Sequence, residues 1–320
     1  MKTAECVTPS HPDKLCDRIS DAILDACLEQ DPMSRVAIET MGGHGIITIT
    51  GELTTKAYIN AREIAQRIAG TEYGVQTNIV SQSPEIAQGV DVGGAGDQGI
   101  MSGYACRDNE DLIPQELYLA RSLCKFIYAE HPYDGKTQIT IDNDGFIKKI
   151  VASFGKTKNE DIQKLIMEWV ADQHLDWTDY KIFINPAGEW NQCGFEADTG
   201  VTGRKLAVDN YGPQIPIGGG CFSGKDATKV DRSGAYMARY LAVQMLKADP
   251  DAKRVTVKLA YSIGIAEPVM ITVDVDGKER QVTNVSAKPN EIIELLHLRE
   301  PQYEKTAQWG HFGNGFAWDK

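Results

Sequence analysis

No run of the 320 residues stays apolar for the ~20 positions that a membrane-spanning helix needs. The opening residues, Met1-Lys2-Thr3-Ala4-Glu5, also lack the apolar stretch of a secretion signal. Basic residues are the minority, 33 Lys and Arg against 45 Asp and Glu, for a net charge of -12. Broad binding to nucleic acid or to an anionic membrane surface needs a positive field, so both are excluded. No Cys-X-X-Cys pair occurs, and the seven cysteines, at positions 6, 16, 27, 106, 124, 193 and 221, are odd in number and scattered. That excludes a disulfide frame or a zinc ribbon and predicts reduced, mostly buried thiols. A soluble cytoplasmic protein is expected. Its 42% hydrophobic and 24% charged residues are ordinary for a globular chain, and its length predicts more than one domain.

Taken in order, Ser10-His11-Pro12-Asp13-Lys14 opens an amphipathic helix with Leu15, Ile19, Ala22, Ile23 and Ala26 on one face. Ser10, with Asp13 three residues on and Pro12 in the first turn, gives the start signal. His11, Asp13 and Lys14 then sit at the positive end of a helix, where anions bind. Plain capping leaves His11 unexplained. Two strands, 35–40 and 46–53, follow around a glycine-rich turn and carry Glu39 and Glu52. Residues 57–69 read as a helix. From Gln82 to Gly99, glycine is too frequent for a regular element, which predicts a binding loop or lid with Asp97 as its most chemical residue.

A helix over 114–129, a hairpin over 137–153, a helix around 162–170 and a strand at 180–184 come next. Trp190, after a turn, suits either the core or a flat base. Asp198 to Lys205 holds two glycines, Arg204 and Lys205. A helix at 232–246, strands at 255–263 and 269–275, a strand from 278 and a helix at 291–298 complete the pattern, and the aromatic tail should pack down. Helix-and-hairpin units therefore recur near 13–69, 114–184 and 231–298. This predicts an α+β protein of three similar sheet-and-helix domains.

The most chemical stretch is Gly218-Gly219-Gly220-Cys221-Phe222-Ser223-Gly224-Lys225-Asp226, followed by Lys229 and Asp231. Glycines let backbone approach a ligand, and two ammonium groups beside a carboxylate suit a polyphosphate with its metal ion. A mobile loop with solvated charges has the same composition. Gly219, Gly224 and Lys225 half-match a phosphate loop, but Asp226 stands where Ser or Thr would hold magnesium. That argues against an ordinary phosphate-loop enzyme.

Together these motifs resemble the methionine adenosyltransferase (S-adenosylmethionine synthetase) family over nearly the whole chain. The matching segments are His11-Pro12-Asp13-Lys14, Gly51-Glu52-Leu53-Thr54-Thr55, Gln82-Ser83-Pro84, Gly94-Ala95-Gly96-Asp97-Gln98-Gly99, Thr202-Gly203-Arg204-Lys205, the glycine-rich stretch, Lys229-Val230-Asp231-Arg232-Ser233, Gly264-Ile265-Ala266-Glu267-Pro268 and Gly310-His311-Phe312-Gly313. The resemblance implies a homodimer with active sites between subunits, or a tetramer of two such dimers, and use of Mg²⁺, two ions in the family pattern, with K⁺ as activator. It implies ATP and L-methionine as substrates, sulfur attack on C5′, release of triphosphate and its hydrolysis.

On the same matching, His11, Lys136, Arg204, Lys205 and Lys225 supply positive charge to the triphosphate, and Asp13 and Asp231 hold Mg²⁺. Asp134, Lys136, Trp190 and Cys221 fall at nucleotide positions, and Asp97 is an acid of the site. Glu52, Gln82 and Lys229 hold methionine, Asp198 is shared between methionine and nucleotide, and Glu39 is the K⁺ ligand. The domains expected are 1–82, a lid-like loop at 83–96, 97–192 and 193–320. The chain departs from the family in a trimmed lid, Ser10 for Gly, Glu189-Trp190 for Arg-Phe, Ile217 for a common His and Cys221 for Ala. A polyphosphate hydrolase on the same basic loop and a non-catalytic regulatory subunit are the rival readings.

Overall fold

The computed structural model describes residues 1–82, 93–173, 180–280 and 285–320. Most of the expected lid-like loop lies outside them. Three four-stranded sheets, each covered by helices, make up the α+β architecture.

The first unit contains α1 (Pro12–Leu28), the hairpin β2 (Arg35–Gly43) and β3 (Ile46–Thr54), then α2 (Ala61–Ala69) and β4 (Gly74–Val80), which runs parallel to β3. The second repeats that order with α3 (Gln115–Glu130), β6 (Gly135–Ile141), β7 (Ile147–Phe154), α4 (Asn159–Asp172) and β8 (Lys181–Ile184). The third has α6 (Val230–Ala248), β10 (Arg254–Tyr261), β11 (Met270–Val275), β12 (Lys278–Arg280) and α7 (Pro289–Leu295).

In each unit the first hairpin strand takes an antiparallel neighbour from elsewhere in the chain. β1 (Lys2–Val7) pairs with β6, β9 (Gly200–Val201) with β2, and β5 (Gly99–Cys106) with β10. The short α5 (Leu206–Asp209) and α8 (Tyr303–Trp309) pack between units.

Period-3.6 apolar spacing accounts for the long helices, and their buried faces form two main cores. One gathers α1, α2, α6, α7 and α8 with the first and third sheets; the other gathers α3 and α4 on the second. The aromatic tail packs down as expected, with Phe312 and Trp318 fully buried. All seven cysteines are free thiols, five of them buried.

Candidate active site

Helix α1 is buried on both sides. Its apolar face meets the first sheet, and its other face carries Asp13, Asp17, Asp21 and Asp25, spaced four apart on one slowly winding stripe. Each carboxylate accepts backbone N–H groups from a different remote loop. Asp13 takes Val201 at 2.9 Å, Asp17 takes Gly203 at 2.8 Å and Asp21 takes Gly224 at 2.8 Å. Asp25 takes Gln302, Tyr303 and Glu304 at the start of α8. Asp21 also holds the buried Arg232 guanidinium at 2.6 and 2.9 Å. The helix is thus a rail on which the site's loops are pinned. Sequence reasoning missed this row, although the spacing of four is visible in it.

The first cluster gathers at the N-terminus of α1. His11, not Ser10, is the cap: its Nδ1 accepts the Asp13 N–H at 3.2 Å, while the Ser10 hydroxyl meets Tyr128 at 3.0 Å. Since Nδ1 accepts, the neutral ring carries its proton on Nε2. Burial, with the nearby Lys205 and Lys136 opposing Asp13 and Asp198, pushes the imidazole down to about 3. His11 is therefore neutral near pH 7, and the expectation that it contributes a positive charge is corrected.

Around it, Asp13 receives Lys205 at 2.5 Å and Arg204 at 3.3 Å. Burial would raise the Asp13 carboxyl, but the Lys205 ammonium and the Val201 amide hold it below its ordinary value. Asp134 accepts the Gly194 N–H at 3.0 Å, and burial lifts it to about 6 against the field of Lys136. Lys136 and Asp198 are exposed beside this group. One turn along α1, the buried Lys14 ammonium pairs with Asp209 at the end of α5 and lies 3.9 Å from Asp17.

The second cluster lies where the glycine-rich stretch crosses between two sheets. Gly218 bridges to Met101 of β5, and Lys225 bridges to Ala37 of β2. Lys225 and Asp231 pair at 2.6 Å. Burial works against the Lys225 ammonium, but Asp231, Cys221 and Asp97 outweigh it and raise its pKa. Asp97, Gly218–Gly220, Lys225 and Asp231 line an open cleft of ≈ 930 Å³ with Tyr261 and Ser262. Glycine is required here: a Cβ on Gly220 would lie 2.1 Å from the Asp231 carboxylate, and one on Gly224 (φ 80°) 1.9 Å from the Ile38 oxygen. Between Asp13 and Asp21, eight residues of helix separate the two clusters' anchor points by about 12 Å. The loops themselves touch where Cys221 lies against Gly203.

Other expected site residues lie around these clusters. The Lys229 ammonium pairs with Asp226, whose carboxylate also takes the Val36 N–H. Glu39 and Glu52 are exposed on the outer face of the first sheet, diagonal to each other across β2 and β3. Among the described residues that face is uncovered, with Met41 50%, Ile46 40% and Val80 56% exposed. Gln82 donates its N–H to Thr54, and its buried side-chain oxygen has no partner among the described residues. Trp190 packs over Gly155. Glu189 accepts the Asn159 N–H at 2.8 Å, so its charge serves the N-terminus of α4. Among the described residues, no group of three or more His, Cys, Asp or Glu gathers as a metal cage. Asp13 and Asp231 are separate oxygen donors, a set that suits Mg²⁺ sharing its shell with phosphate oxygens.

Three family models match the chain in order: the N-terminal domain of S-adenosylmethionine synthetase over residues 1–88, its central domain over 92–190 and its C-terminal domain over 193–320. The S-adenosylmethionine synthase of Treponema denticola is 40% identical over 370 aligned positions, covering 99% of this chain and 95% of that protein. The synthase of Sulfurovum sp. is 41% identical over 367 positions, and S-adenosylmethionine synthase 1 of Rhodospirillum rubrum 41% over 365, with the same coverage. Because this chain has 320 residues, at least 45 positions in each alignment fall opposite gaps in it. With the motifs in register from end to end and the fold repeated three times, the chain belongs to the S-adenosylmethionine synthetase family.

Proposed function

We propose that this chain, a methionine adenosyltransferase by family, joins L-methionine to ATP by direct displacement at carbon. The sulfur lone pair attacks C5′ of ATP, the C5′–O bond breaks, and its electrons leave with the triphosphate. Water then cuts the triphosphate to pyrophosphate and phosphate. A thioether has no proton to lose, so the first step needs no general base; it needs alignment and a place for the leaving charge. The observation that carries this reading is the pinning of two cation-bearing loops to one helix, Arg204 and Lys205 on one and Lys225 on the other, with neutral His11 and Lys136 beside the first.

Arg204, Lys205, Lys136 and Lys225 bind the polyphosphate oxygens. His11, neutral and protonated on Nε2, donates to the leaving oxygen without a net charge that would repel the lysines. Asp13 and Asp231 would hold Mg²⁺, which supplies positive charge to the phosphates when bound; Gly220 leaves the room at Asp231 that a Cβ would fill. Trp190 stacks on the base beside Asp134, and Asp198 lies between nucleotide and amino acid. Cys221 offers its backbone to the nucleotide. Asp97 faces Lys225 across the cleft. Glu52, Gln82 and Lys229 take the methionine head group, and Glu39 offers an oxygen to K⁺.

The outer face of the first sheet, uncovered among the described residues, supports a homodimer seated there. Incubation with ATP, methionine, Mg²⁺ and K⁺ should yield S-adenosylmethionine. Phosphate release without methionine would favour a polyphosphate hydrolase, and a folded protein with no turnover a regulatory subunit. Lys225→Ala should lower kcat/KM at least about a hundredfold with the fold intact.

A further inference from the structure

Arg204 and Lys205 lie on a short segment between Gly203 and α5, and α1 grips that segment at both ends. On one side Asp17, 2% exposed, accepts the Gly203 N–H at 2.8 Å. On the other, Lys14 holds the Asp209 carboxylate, and Lys14 and Asp17 are 3.9 Å apart on successive turns. Upstream, Thr202 is tied to α1 through Ser20 and to the first sheet through Thr40. Beyond Thr202 the backbone keeps one long bond to the sheet, Arg204 N–H to the Val201 oxygen at 3.4 Å, and Gly203 (φ 83°) is a position where the backbone turns freely. We propose that Asp17 is a positioning residue for the polyphosphate end of the reaction, fixing the Gly203 amide so that Arg204 and Lys205 face the ligand. It touches no substrate itself, and the inference rests on the reading of Arg204 and Lys205 given above.

A purely structural role for Asp17 would lower stability and leave ligand affinities in proportion. A positioning role moves one ligand and spares the other. Binding of inorganic tripolyphosphate, with Mg²⁺ present, is measured by titration calorimetry on the full-length protein. Asp17→Ala should weaken it at least about tenfold, the loss expected when a buried amide is left without its acceptor. Asp17→Asn keeps an oxygen for the Gly203 amide and should stay within about threefold of the parent. Where the alanine variant does not fold, Asp17→Ser replaces it, its hydroxyl polar but too short to reach the amide. In steady state, the KM for ATP should rise while that for methionine stays within twofold. Unchanged tripolyphosphate binding in Asp17→Ala or Asp17→Ser overturns the assignment, as does an Asn variant no better than Ala. If the parent makes no S-adenosylmethionine yet the alanine variant loses tripolyphosphate, the proposed reaction fails and the role of Asp17 stands.

Discussion

With Nδ1 of His11 engaged by the Asp13 amide, one ring both starts a helix and keeps an N–H for the ligand. Asparagine can cap a helix as well as histidine but offers no second ring nitrogen. His11→Asn should therefore melt within a few degrees of the parent and lose at least about a hundredfold in turnover; a parallel loss of both would mean the ring only caps. Acid behaviour tests the same burial. An imidazole lowered to about 3 in the fold, against 6.5 when free, stabilises the protein above pH 6.5 and loses that contribution as the pH falls toward 3.

Asp17 has the opposite sign. Burial first, then the charges of Asp209 and Asp21, lift it to about 7 against Lys14 and the Gly203 amide. Its contribution is full below the unfolded value of 3.8 and is lost as the pH rises through 7. Thermal melts across pH 4–8 should show Asp17→Asn with a flatter decline toward pH 8, and His11→Asn with less acid loss above pH 3. The cations and His11 were legible because they sit in motifs. Asp17 and Asp21 were not, because acids opposite an apolar stripe read as solvated, and their burial depends on Gly203 and Gly224, far along the chain.

At the level of elements, Glu189 shows how position overrides sign. Its carboxylate meets the first amide of α4, where the helix dipole favours negative charge. Glu189→Ala should cost about 1 kcal/mol of stability and leave the KM for ATP unchanged; a shift in that KM would return the charge to the nucleotide. Helices α1, α3, α4 and α6 and the strands of the three hairpins were readable from the sequence pattern. β1, β4 and β5 were not. In β5 the reason is packing: α6 lies so close that a Cβ on Gly103 would sit 2.0 Å from the Ala238 carbonyl carbon. At Gly103, and at Ala105 on the same face, small residues stand where large apolar side chains would mark a strand. β4 lies at the edge of its sheet and exposes Gln76, Thr77 and Asn78, so its pattern is equally faint.

For the molecule as a whole, three similar units were legible in the recurrence of helix and hairpin, while the strands exchanged between them were not. The face of the first sheet uncovered among the described residues is where a homodimer should form. Met41→Asp combined with Ile46→Asp should give a folded monomer by sedimentation, inactive because the sites implied by the family resemblance lie between subunits. A dimer of full activity would place the contact elsewhere. The strand exchange itself bears on how the protein is made. Lys2–Val7 leaves the ribosome more than a hundred residues before its neighbour Gly135–Ile141, and β5 waits still longer for β10. Pairings so distant along the chain are slow to form. A nascent chain therefore exposes a raw strand edge while synthesis continues, a window in which a chaperone would have something to hold.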